Sequence, residues 1–79
     1  MSNVEKDDKR QVFDLRERIK NGEHPRHEMF EHAKKAAPGT ILEIHTPRRP
    51  VPLLKGLEEM DITVDQIEEG HVRVVAVKI

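Results

Sequence analysis

The sequence predicts a two-layer α/β sandwich, and three observations predict it. Four short runs have strand character, and the last two are joined at Glu69-Gly70 as a closing hairpin. Two further segments carry apolar residues at helical spacing, each opened by proline. The chain has 79 residues, 35% of them hydrophobic, which is material for one small core. The order is β-α-β-α-β-β. Two helices placed on opposite faces of so small a sheet would leave each face half bare, so both are expected on one face of a four-stranded mixed sheet.

The opening Met1 to Arg10 alternates charged and polar side chains without a period and reads as a disordered polar tail, residues 1–10, which leaves residues 11–79 as the single domain. Gln11 to Leu15 reads as the first strand, with Val12, Phe13 and Leu15 too few to make a helix face. Arg16 to Glu23 is expected to be loop, closed by Asn21-Gly22. Pro25 suits the first turn of a helix, where its missing N–H is not needed, and His24 becomes the N-cap. Met29, Phe30, Ala33, Ala36 and Ala37 form one narrow stripe before Pro38-Gly39 ends that helix.

Ile41 to Thr46 alternates as the second strand, with Leu42 and Ile44 on one side and Glu43 and His45 on the other. A second helix is expected from Pro50–Pro52 to Met60, buried through Leu53, Leu54, Leu57 and Met60. Gly56 within it disfavours helix by about 1 kcal/mol relative to Ala and is read as a close approach to a strand. Ile62 to Glu68 and Val72 to Ile79 are the last two strands, the final one apolar on both faces as a central strand requires.

Composition removes several kinds of chemistry. Without cysteine there is no disulfide, thiolate metal site, persulfide or thiol nucleophile. The single Ser, at position 2, excludes hydrolytic serine chemistry, and no glycine-rich phosphate loop or nucleophile elbow is present. Fourteen basic against fifteen acidic residues give a net charge of −1, and both aromatic rings, Phe13 and Phe30, occupy core-like positions, so nucleic acid is not the expected partner. No apolar run is long enough for a membrane span and the charged opening is no signal peptide, so the cytoplasm is expected.

The crossovers bring the ends of the first two strands, and hence the starts of both helices, to one edge of the sheet. Glu23-His24-Pro25-Arg26-His27 and His45-Thr46-Pro47-Arg48-Arg49-Pro50 meet there. Helix starts that lack a Ser, Thr, Asp or Asn cap point N–H groups outward, and added arginines make an anion contact. His24, Arg26, His27, Arg48 and Arg49 are therefore the candidate anion-binding residues. The plainer alternative is that water caps the N–H groups and the arginines are solvated surface. Thr46 would cap the second helix only if that helix began earlier. A transition-metal site would have to recruit His24 and His27, one turn apart, with His45 from the neighbouring segment. HEMFEH places its histidines five apart and so is not the zinc-protease motif. A catalytic pair of Asp14 and His24 is a third reading, set against Asp14 as a strand-end residue bonded to local backbone N–H groups.

Asp14-Leu15-Arg16 after a short strand, His24-Pro25 opening a helix, Pro38-Gly39 before a strand, Pro50-Val51-Pro52-Leu53-Leu54 opening the second helix and a closing hairpin together resemble the TusA-like (SirA-like) sulfur-carrier fold. The similarity runs from Gln11 to Ile79 and is greatest to that fold's cysteine-poor branch, a family of domains of unknown function. In the sulfur carriers a Cys-Pro-x-Pro motif opens the first helix. The matching stretch here is His24-Pro25-Arg26-His27, in which His24 stands where the cysteine would be and His27 replaces the second proline. Imidazole carries no persulfide, so the resemblance implies the location of a working surface and not sulfur transfer. It also implies a protein partner among redox proteins or metalloproteins. The expected protein is a non-catalytic binding or accessory module, the alternative a histidine-based metal-binding or metal-delivery domain.

Overall fold

The structure, a computed structural model, describes residues 9–79. Strand β1 is Arg10–Asp14, helix α1 Arg16–Lys20, helix α2 Arg26–Lys35, strand β2 Ile41–Thr46, helix α3 Val51–Gly56, strand β3 Asp61–Glu68 and strand β4 His71–Val77. The strands form one mixed sheet in the order β1-β2-β4-β3. β1 runs parallel to β2, with Phe13 opposite Ile44, while β4 is antiparallel to both of its neighbours, with Val74 opposite Ile44 and Val64. The expected two-layer α/β sandwich is therefore the fold. The polar-tail reading of residues 1–8 lies outside the described residues, and Arg10, assigned to that tail, is the first residue of β1 and pairs with Ile41.

One core lies between the sheet and the helices. Leu42, Ile44, Val74 and Ala76 project from the two inner strands, and Met29, Ala33, Leu53 and Leu57 meet them from the helical side. Alternation along β2 puts Glu43 and His45 on the opposite face, which the described helices do not cover. β4 takes the inner position that its apolar run suits, with Val74 and Ala76 fully buried. Gly70 at φ 84° closes the β3–β4 hairpin, a backbone conformation that side-chain-bearing residues rarely adopt.

Three local expectations are corrected. Arg16 to Glu23 is not all loop. Leu15 and Ile19, four apart, both turn toward the core, the Leu15 carbonyl accepts from the Ile19 N–H at 2.9 Å, and α1 forms. Its end is closed by Gly22 N–H to the Ile19 carbonyl (3.0 Å) and Glu23 N–H to the Arg18 carbonyl (3.0 Å). Second, Pro25 and not His24 is the N-cap of α2, one residue later than expected. Third, α3 stops at Gly56 and not at Met60. Leu57 and Met60 still pack on the core, but from a turn in which the Met60 N–H reaches the Leu57 carbonyl at 2.8 Å.

Gly56 itself marks an approach between helices and not to a strand. A Cβ at this position would stand 2.2 Å from Cζ of Phe30 on α2. Gly56→Ala is expected to destabilise the fold by about 1–3 kcal/mol through overpacking, despite the better helix propensity of alanine. Denaturant unfolding checks this, and Phe30→Leu in the same chain should recover part of the loss.

Candidate functional site

The edge where β1 and β2 end carries a groove of about 400 Å³. Leu15, Ile19, Met29 and Leu53 supply its apolar floor, and four prolines, Pro25, Pro47, Pro50 and Pro52, stiffen its walls. His24, Arg26, Arg48 and Arg49 also line it. Four of the five expected anion-site residues are thus brought together. The fifth, His27, lies one helical position away and sets its ring edge-on to Phe30, with centroids 6.4 Å apart.

Local chemistry shapes this edge. Thr46, buried to 1%, donates its hydroxyl hydrogen to the Arg48 carbonyl at 2.7 Å. It therefore caps no helix but folds the loop that carries both arginines. No side chain caps α2, so its first-turn N–H groups face the groove edge without an intramolecular acceptor from a capping residue.

Glu23 also lines the groove, but its carboxylate is taken by Arg18 at 2.9 Å. Arg10 pairs with Glu43, Arg16 with Asp14, Arg18 with Glu23 and Glu28, and Arg73 with Asp65. Among the described residues, Arg26, Arg48 and Arg49 have no such carboxylate partner, and all three are exposed. Arg18 donates to Glu28 from two nitrogens, at 2.8 and 3.1 Å, and so ties α1 to α2.

Asp14 is claimed by its neighbour. The Arg16 guanidinium donates to both carboxylate oxygens at 3.0 and 2.7 Å and the Arg16 backbone N–H adds a third bond at 3.2 Å. The guanidinium hydrogen bond holds the carboxyl at about 2, well below its ordinary value of 3.8, and Asp14 is engaged by Arg16 as a strand-end residue. Glu43 is affected in two directions. Burial pushes it up, but hydrogen bonds from His45 and Arg10 prevail and leave it below the usual carboxylate range.

Both depressed carboxyls stabilise the fold while ionised. That contribution is complete above the ordinary values of 3.8 and 4.5 and is lost as pH falls through the lower folded-state values. The melting temperature should therefore fall on acidification below about pH 4.5, and Asp14→Asn should flatten the part of the fall between about pH 4 and 2. An Asp14→Asn profile superimposable on the parent would contradict the assignment.

The histidines expected to share a metal do not meet. His24 lines the groove and His27 rests near Phe30, whereas His45 points from the far face of β2 and bonds to Glu43 and His71. Among the described residues, no group of three or more His, Asp or Glu side chains gathers in a metal-holding arrangement. Register explains the separation. His45 alternates with Ile44 and Thr46, which face the helices, so its ring leaves the sheet on the other side. Sequence reasoning missed the contact of His45 with His71, although both flank the β2–β4 pairing. No described helix is long and apolar enough to cross a membrane. Compared with known proteins, the chain matches no family model, no curated protein and no solved structure.

Proposed function

We propose that the chain is a cytoplasmic, non-catalytic binding module that takes a small anion, or an anionic group presented by a protein partner, in the groove at the helix starts. One observation carries this reading: three exposed arginines converge on an apolar-floored groove with no carboxylate partner among the described residues, while the other four arginines are each matched to an acidic side chain. An unbalanced guanidinium cluster beside uncapped N–H groups favours phosphate or carboxylate, and the Leu15, Ile19, Met29 and Leu53 floor favours a ligand with an apolar portion. The TusA-like resemblance supports the same location, because the working surface of that family is the first-helix start. With His24 where the cysteine would stand, the proposed role is recognition and not sulfur transfer.

Calorimetry with butyl phosphate, inorganic phosphate and a glutamate-rich peptide tests the reading. Butyl phosphate should bind more tightly than phosphate, and raising salt from about 20 to 200 mM should weaken it severalfold. Peptide binding without butyl phosphate binding would assign the groove to a protein partner. Silence with all three probes would remove the groove as a binding site.

A further inference from the structure

The uncovered face of the sheet holds a second constellation, independent of the groove. His45 Nε2 stands 2.7 Å from Glu43 Oε2, and His45 Nδ1 stands 2.8 Å from His71 Nε2. Glu43 also accepts from Arg10, so its carboxylate is the acceptor and the hydrogen of this contact lies on His45 Nε2. The His45 Nδ1 lone pair then accepts the hydrogen carried by His71 Nε2. The geometry points to a late transition-metal site at this position, in which a divalent ion such as Zn²⁺ takes the place of the hydrogen between His45 Nδ1 and His71 Nε2, the His71 ring carries that hydrogen on its own Nδ1 instead, and both facing nitrogens become ligands.

Four features support it. The ring centroids already lie 5.0 Å apart, and two imidazoles bound to one ion with N–metal bonds of about 2.0–2.1 Å at a tetrahedral angle hold their centres roughly that far apart. Tilting both rings off the N···N line, with their centres kept in place, opens the nitrogens from 2.8 Å to roughly 3.3 Å. Glu43 supplies the carboxylate that orients a ligating imidazole through its other nitrogen, fixing the tautomer and raising the basicity of the ligand. Both histidines stand on adjacent inner strands, His71 two residues from Arg73, the register partner of His45, so the backbone holds them in place.

The local charge permits a dication. The guanidiniums of Arg10, Arg16 and Arg73 on this side are each matched by Glu43, Asp14 and Asp65, and Glu68, the register partner of His71, adds a further carboxylate. Two protein nitrogens leave the remaining coordination positions to water, so the expected behaviour is reversible loading and not a structural zinc.

The test is a Zn²⁺ titration of the full, tag-free chain followed by histidine ring nitrogen NMR. One equivalent should move the His45 and His71 rings before those of His24, His27 and His32. His71→Gln should weaken binding at least ~10-fold, and Glu43→Gln, which keeps the size but loses the charge of the orienting group, about 10- to 100-fold with an unchanged amide spectrum. If Glu43→Gln does not fold, the His71→Gln result decides. Ring shifts confined to other histidines, unaltered affinity in His71→Gln, or no ring shift up to millimolar Zn²⁺ would each overturn the proposal.

Discussion

Ile44→Ala should lower the stability of the domain by about 2–5 kcal/mol, the largest effect expected of any single substitution considered. Ile44 is 1% exposed and occupies the middle of β2, opposite Phe13 on one side and Val74 on the other. Removing its branched side chain takes away buried surface from both pairings and leaves a cavity beneath the helices that the short strands are poorly able to close. A chain of 79 residues has a total stability on the order of 4–12 kcal/mol, so the loss is a large share of the whole. Thermal unfolding should show a drop in midpoint of roughly 10 °C or more. A fall of only a degree or two would place the core elsewhere.

The second large effect concerns the groove. Replacing Arg48 and Arg49 together with alanine should reduce affinity for butyl phosphate about 10- to 100-fold, on the order of 1.5–3 kcal/mol, because each supplies a charge-assisted donor that no carboxylate engages. Stability should change little, since neither side chain is buried or paired among the described residues. His24→Ala should produce a smaller loss, as an imidazole offers fewer hydrogen-bond donors than a pair of guanidiniums. Calorimetry on the parent and the two variants gives the ranking, and equal affinities across all three would detach these residues from binding.

The fold was readable because its apolar periods are clean. β2 alternates across Ile41–Thr46, β4 is apolar from Val74 to Val77, and the glycine at the hairpin marks the reversal between β3 and β4. What sequence reasoning missed was short or depended on tertiary contact. The Leu15 and Ile19 pair is a single helical repeat, too brief to distinguish from loop, and its meaning lies in the core that both residues reach. α3 was overextended because Leu57 and Met60 keep helical spacing while packing from a turn. Gly56 advertised a close approach, but only the packing of α2 against α3 identifies the neighbour as Phe30.

The candidate site divided along the same line. Parallel pairing of β1 with β2 brings their ends together, so the gathering of His24, Arg26, Arg48 and Arg49 follows from topology. The metal triad of His24, His27 and His45 failed on strand alternation, which sends His45 to the opposite face and into contact with Glu43 and His71. A β2–β4 pairing register, which no single-strand pattern reveals, was needed to see that contact.

Amide chemical-shift mapping of the chain with inorganic phosphate at low salt tests the central claim most directly. The account predicts shifts at the backbone amides of Arg26, His27, Glu28, Arg48 and Arg49, abolished when salt is raised to about 0.5 M. Shifts scattered over the Lys-bearing surface, or no shifts at any phosphate concentration, would contradict it.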